Sequence, residues 1–361
     1  MLVVRPVIMD DLEGVFELAK KTGGGLTTLP PDKVRLAEKI RESRKNFEYK
    51  PSRPSGETYF LVMEDLEKKK IVGTSAVYSK VGGFQPFWTY EIKKTVKESK
   101  VLGVKKEVRY LQVKREHNGP SEVGTLFLDP DYRSGNNGRQ LSLSRFLFVA
   151  QYRELFEDNF LAELRGRIDK DGNSVFWDCL GAHFFNVPFE KADLMVNEDK
   201  SFIDDLMPHH PIYIDLLPRE AQMVIGEVHD ESRPAMRLLE QEGFKKIEEV
   251  DIFEAGPIVK ANTNEIRCVK QSKAAQLVKG EPELIQPEHN WGQLDEVRKS
   301  ETMRFFMVCN INSFIDFRVV VCEIALSGTD KITIPDQAMK ALNVKIGDSV
   351  RYVPVRPWSK L

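Results

Sequence analysis

Cysteine and histidine are scarce in this chain. Its four cysteines, Cys179, Cys268, Cys309 and Cys322, are spread over 361 residues, and none forms a CxxC pair. The six histidines do not stand beside them at ligand spacing, so no bound metal is expected. Scattered thiols fit small buried hydrophobes in a reducing, cytoplasmic setting better than a disulfide framework. Long apolar runs are also missing: none approaches the ~20 residues that span a bilayer, so no membrane association is expected. The first residues, MLVVRPVIMDDLEGVFELAKKTGGG, carry acids early and show no cleavage-site pattern, so no signal peptide is expected. Nor is there an excess of positive charge. The 53 Lys and Arg stand against 55 Asp and Glu, a formal net charge of −2, which removes the usual electrostatic reason to expect nucleic acid.

Apolar residues make up 41% of the chain, enough to build a real core. The length suits two domains, placed at 1–200 and 201–361. LVVRPVIMDD reads as a strand. A helix follows, with Asp10 or Asp11 as its cap and Gly23, Gly24 and Gly25 as its stop. PPDKVRLAEKIRESRKNF reads as a second helix opening after prolines. TYFLVMED and IVGTSAVYSK around a polar turn predict a hairpin. GGFQPFWTYEI reads as an aromatic loop, with strands near VRYLQVK. EVGTLFLD is a strand leading into a long amphipathic helix. FWDCLGAHFFNVPF and AMRLLEQEGFKKIEEV each read as helix, glycine, aromatic and strand, a weak internal duplication. In the second, Ser232 is the expected N-cap and Gly243 the C-cap. Residues 271–302 read as a polar, solvent-facing excursion, and strands with one short helix close the chain. The pattern is α+β, with a central, mixed, mostly antiparallel sheet and a small C-terminal β-rich segment.

The chemistry gathers at TLFLDPDYRSGNNGRQL. Gly135 and Gly138 let backbone approach a ligand, and the first amides of the helix have no partner within it. Those N–H groups and the positive end of the helix dipole suit a pyrophosphate, and Arg133 and Arg139 offer charge-assisted contacts. The spacing is neither a Walker loop nor GxGxxG. Taken alone, the stretch reads equally well as a plain Gly-Asn turn. His229 suits proton transfer near neutrality, or is a structural histidine. Glu163, Arg165 and Asp169 read as an ion-pair network, the adjacent His209 and His210 as part of a loop, and Phe176 and Trp177 as core.

Arg133-Ser134-Gly135-Asn136-Asn137-Gly138 after an apolar strand resembles the Arg-x-x-Gly-x-Gly coenzyme A cradle of GNAT-type N-acyltransferases. KTGGGLTTLP, TLFLDPDYR, SRFLF, ELRGRIDKDGNSVFW, DLMPHHPIY, AQMVIGEVH and DIFEAGP together resemble the arginine N-succinyltransferase family, in the family's order. The C-terminal FRVVV and LNVKIGDSVRYVPV are similar to the family's end. The resemblance implies a pair of GNAT-like domains and transfer of the succinyl group of succinyl-coenzyme A to the α-amino group of L-arginine, in arginine catabolism. Some members also act on ornithine. It implies succinyl-coenzyme A as cosubstrate with no tightly bound cofactor, and assembly as a homo-oligomer or with a related subunit. Carried onto this chain, it puts the acyl-coenzyme A contact at Leu126 and the proton donor at His229. The cradle falls on Arg133, Gly135, Asn136, Asn137 and Gly138. The family usually has glycine where this chain has Asn136; asparagine also tolerates positive φ, which keeps the turn accessible.

Two other readings compete. One is an acyl-coenzyme A N-acyltransferase for a different amine or acyl donor. In the other, DKITIPDQAMKALNVKIGDSVRYVPV, similar to the swapped hairpin of AbrB-type regulators, serves as a dimerising or DNA-binding module. That segment is hardly a basic patch, which favours a β appendage.

Overall fold

The computed structural model describes residues 1–23, 26–196, 200–280, 305–327 and 330–356. Gly24, Gly25 and most of the expected polar excursion, from 281 on, lie outside the described residues. The strands are β1 (Leu2–Pro6), β2 (Thr58–Asp65), β3 (Lys70–Tyr78), β4 (Phe87–Ser99), β5 (Val104–Glu116), β6 (Ser121–Leu128), β7 (Asn159–Glu163), β8 (Ile212–Tyr213), β9 (Lys245–Val250), β10 (Pro257–Asn262), β11 (Lys273–Leu277), β12 (Phe306–Asn310), β13 (Val319–Cys322), β14 (Ala325–Leu326), β15 (Lys331–Thr333) and β16 (Ser349–Pro354). They form one 16-stranded sheet in the order β14-β15-β11-β16-β12-β13-β1-β2-β3-β6-β7-β10-β9-β4-β5-β8. Among the described pairings only β6 with β7 and β11 with β15 are parallel. The mixed, mostly antiparallel α+β architecture is therefore as expected.

The N-terminal unit follows its sequence signals closely. Helix α1 (Leu12–Lys20) and helix α2 (Lys33–Glu48) cover the apolar face of β1 to β3, and Asp32 caps α2 by accepting from the Val34 and Arg35 amides. Asp11 stands at the start of α1 but does not cap it. Its carboxylate turns back to the Arg5 guanidinium, at 2.7 and 2.9 Å, and to the Ile8 amide. A nearby arginine outcompetes the helix amides, so that expectation is corrected.

Three other readings change. The aromatic segment after Gly83 is not a loop: Trp88, Tyr90 and Ile92 are buried positions of β4, which pairs with β5 along its full length. The helix at Trp177 does not break at Gly181. It runs through a π-turn into Ala182–Phe185 and ends at Asn186, whose φ is 51°. Gly181 is there for packing, because a Cβ would run into the Trp177 ring. A helix, Phe189–Met195, then replaces the expected strand, so the duplication fails in its first copy. Helix α3 (Asn137–Gln151) is not amphipathic. Every residue from Gln140 to Val149 is buried, because strands, the Arg267–Gln271 helix and the Arg233–Gln241 helix enclose it.

A second apolar core gathers around Phe176 and Trp177, from residues between 88 and 255 on both sides of position 200. Ser232 precedes the Arg233–Gln241 helix without a side-chain cap, while Gly243 takes φ 101° just past its end, as expected of a terminator. At the other end of the sheet, β11 occupies the first residues of the expected excursion, and β16 is inserted between β11 and β12. The segment likened to a swapped hairpin is thus woven into this chain's own sheet. Among the described residues, no helix is long and apolar enough to cross a membrane, and no cluster of His, Cys, Asp and Glu could hold a metal ion.

Candidate active site

The sheet opens where its central strands run parallel. Ser121 faces Phe160 and Glu122 faces Leu161; beyond them β6 stays with β3 while β7 continues with β10. A notch results, with β6 as one arm and β7 as the other. On β6, Gly124 faces Ala76 and Phe127 faces Thr74, so Thr125 and Leu126 stand opposite Ser75 alone, a bulge. Thr125 has a φ of 51°, a region that β-branched residues avoid, at a cost of about 1–3 kcal/mol. Several contacts hold it there. The Tyr78 hydroxyl lies 2.7 Å from Thr125 Oγ1, Lys39 Nζ donates to that oxygen at 3.1 Å, and Thr74 Oγ1 donates to the Thr125 carbonyl at 3.0 Å. Leu126 comes next, half-buried against the core.

β6 leads to the glycine-rich turn. The first helical bond of α3 runs from the Gln140 amide to the Asn136 carbonyl, so the amides before it have no partner within the helix. Gly135 takes the left-handed conformation, φ 57°, and Asn136 sits at φ −102°. Asn136 therefore does not need the positive φ that its departure from the family pattern suggested; the glycine one place earlier supplies it. A Cβ at Gly135 or Gly138 would meet nothing within 4 Å, so the space before both is open. Asn136 Oδ1 is buried without a partner, and its amide can be turned over to present Nδ2 as a donor. Arg133 Nε holds the Leu128 carbonyl at 3.0 Å, which leaves its outer nitrogens for an anion. Two residues point elsewhere. The Asn137 side chain donates to the Tyr132 carbonyl, and Arg139 Nη2 reaches Gln241.

His229 belongs to the other arm. Its backbone N–H donates to the Arg165 carbonyl at 2.8 Å, two residues past the end of β7, and Val228 bridges Gly166. His229 Nδ1 accepts from the Glu231 amide at 3.3 Å. A neutral ring that accepts at Nδ1 carries its proton on Nε2, ready to donate.

Carboxylates line this arm and the floor. Arg165 pairs with Asp193 at 3.2 Å and lies 3.1 Å from Glu254 Oε2, too misaligned for a hydrogen bond. Burial pushes Asp193 up to about 6 and Glu254 up to about 8, against the pull of the Arg165 charge. Asp169 is not part of this network; it closes a local turn by accepting from Asp171 and Asn173. Glu122 and Glu163 have no hydrogen-bond or ion-pair partner among the described residues. Surrounding protein raises both carboxyls above the usual range, and Lys200 opposes the shift at each. Glu163 nevertheless keeps an exposed surface. Its environment is therefore a crowded concave wall that water reaches, not a sealed interior. His209 lies in a loop and Phe176 and Trp177 are core, as expected. Glu122, Lys39, Tyr78 and Thr125 have no sequence signal: they converge only through the bulge and the packing of α2.

Comparison with known proteins shows the family. The family model described as arginine N-succinyltransferase beta subunit matches residues 2–268, and the model of its C-terminal domain matches 305–354. Arginine N-succinyltransferase of Yersinia pseudotuberculosis serotype O:3 (strain YPIII) is 39% identical over 354 residues, covering 98% of this chain and 97% of the relative. The Escherichia coli (strain 55989 / EAEC) protein of the same name is 36% identical, with the same shares covered. The solved structure of arginine/ornithine succinyltransferase subunit AI from Pseudomonas aeruginosa superposes with a TM-score of 0.84 at 30% identity, covering 98% of this chain and 99% of that one. This chain belongs to the arginine N-succinyltransferase family.

Proposed function

We infer that this chain transfers the succinyl group of succinyl-coenzyme A to the α-amino group of L-arginine. The observation that carries this is the notch between β6 and β7. An open, glycine-lined helix start lies on one arm, a histidine and the unpaired Glu163 on the other, and the unpaired Glu122 at the base. Leu126 contacts the acyl end of the cosubstrate, and Arg133, Gly135, Asn136 and Gly138 receive its pyrophosphate. Asn137 stands aside, since its side chain donates to the Tyr132 carbonyl and its backbone N–H to the Ser134 carbonyl at 3.3 Å. The bulge frees backbone N–H groups of β6 to polarise the thioester carbonyl. The neutral amine nitrogen attacks that carbon and the C–S bond breaks; His229 Nε2 gives a proton to the leaving sulfur as the proton shed by the attacking nitrogen returns to His229. Holding both reactants in one cleft supplies much of the rate. The unpaired acids Glu122 and Glu163 suit a cationic acceptor such as a guanidinium.

The same reading keeps two acyltransferase-like units, 1–200 and 201–361, although the two largest apolar cores each draw residues from both sides of position 200. It includes action in the cytoplasm, where acyl-coenzyme A is available, and assembly with a second copy or a related subunit. A thiol-release assay with succinyl-coenzyme A and arginine tests it. Release well above hydrolysis is expected; none above that background removes the proposal.

A further inference from the structure

We propose that Lys39, Thr28, Tyr78 and Thr125 form a subsite for the free carboxylate of the succinyl donor. The proposal rests on the function inferred above and names the part of the site that selects the acyl group. Lys39 Nζ donates to the Thr28 carbonyl at 2.7 Å, to the Tyr78 hydroxyl at 3.1 Å and to Thr125 Oγ1 at 3.1 Å. It also lies over the Phe60 and Tyr78 rings, 5.2 and 5.6 Å from their centroids. No carboxylate comes within ion-pair distance of it among the described residues. The ammonium is half-buried, held in place and not neutralised.

Hydroxyl protons complete the donor set. Tyr78 and Thr125 share one proton across 2.7 Å, and the second has no acceptor among the described residues. Thr28 Oγ1 is buried and has no partner among the described residues. Two uncommitted O–H donors beside an unpaired ammonium complement an anion. Position decides which anion. The cluster adjoins Leu126, at the acyl end, whereas the phosphates belong with residues 133–138 past the end of β6. The field agrees: acids line the floor and the β7 arm, and Lys39 lowers the raised Glu122 carboxyl from the β6 side. A succinyl carboxylate and a guanidinium would each find opposite charge at their own end.

The test compares kcat/KM for succinyl-coenzyme A with that for butyryl-coenzyme A, which puts a methyl group where the carboxylate stands, with arginine as acceptor. Wild type should favour succinyl, and Lys39→Met should lower the succinyl-to-butyryl ratio about tenfold or more. A wild type indifferent to the two donors, or a ratio unchanged in the variant, overturns the proposal. A lysine that merely pins the bulge would depress both donors equally. If Lys39→Met does not fold, Thr28→Val carries the same test, with a several-fold fall expected and an unchanged ratio overturning. L-Argininamide separates the other carboxylate source. If Lys39 holds the amino acid's carboxylate, its loss will matter with arginine and not with the amide, and the donor ratio will stay fixed; that result also overturns the proposal. Wild-type thiol release is measured first, so failure of the function and failure of the subsite read differently.

Discussion

Gly138→Val separates a phosphate cradle from an ordinary turn. Gly138 is the second residue of α3, and a Cβ there meets nothing within 4 Å. The free protein should accept valine without a clash. Removing glycine from a helix also gains a few tenths of a kcal/mol, because valine restricts the unfolded backbone. The melting temperature should therefore hold or rise slightly. Coenzyme A meets a different surface, since the isopropyl group fills the open space and keeps phosphate away from the free amides. A hydrogen bond to a charged group contributes about 1.5–3 kcal/mol, so losing one raises Kd roughly 10- to 150-fold. Gly135 is a poorer choice for the test. Its φ of 57° would strain any side chain and confound stability with binding. Calorimetric titration with coenzyme A measures the effect, with a thermal melt as control. A valine variant that melts normally and binds coenzyme A as tightly as wild type would refute the cradle.

Three further outcomes follow from named contacts. His229→Ala should cost only about 1 kcal/mol of stability, from the lost Glu231 contact, yet lower kcat about 10²- to 10⁴-fold; near-normal turnover removes the proton-donor role. Glu242→Ala should destabilise by about 3–5 kcal/mol in urea melts, because buried Arg267 loses its 2.7 Å ion pair and the Cys268 amide its acceptor; a loss below about 1 kcal/mol contradicts this. Asp129 has no accessible surface but lies just beneath exposed lysines. Burial pushes its carboxyl up, and the Lys21 ammonium, the Asp131 amide and the Lys70 ammonium outweigh that and hold it below the usual range. The unfolded chain then takes up a proton first as pH falls, so this stabilisation is present above about pH 4 and is lost below it. Asp129→Asn should be less stable than wild type at pH 7 and converge with it in acid; a gap independent of pH rejects the assignment.

Local signals carried the N-terminal half of the fold. The prolines before α2 and the polar turn between the runs of β2 and β3 are short-range chemistry, and the structure keeps them. The failures share a cause in tertiary context. The β4 aromatics looked like a loop because glycine and proline precede them, yet they pair with β5 over the whole strand and fill the second core. Gly181 looked like a helix stop, and only the Trp177 ring shows that its missing side chain serves packing. Asn136 looked like a defect in a motif, because a sequence does not show which residue of Gly135-Asn136 carries the positive φ. The glycine turn and His229 could be singled out because they coincide with recognisable strings. The clusters around Lys39 and Glu122 were not, since α2, β3 and β6 bring together residues with no common spacing.

These illegible residues also explain why the cleft holds unpaired charge. Glu122 feels Lys39, but no ion pair joins them, and Glu163 has no cation at contact distance among the described residues. Desolvation raises both carboxyls above the usual range, so neither anion is fully compensated in the free protein, although Glu163 keeps exposed surface. In the proposed reaction a cationic substrate would supply that compensation. The strained Thr125 fits the same logic. Its positive φ interrupts the β3–β6 ladder where the proposed mechanism calls for backbone donors, and Tyr78, Lys39 and Thr74 hold it there. Under that mechanism the geometry is set in advance, so binding need not rebuild the site and more of the interaction energy can act on the transition state.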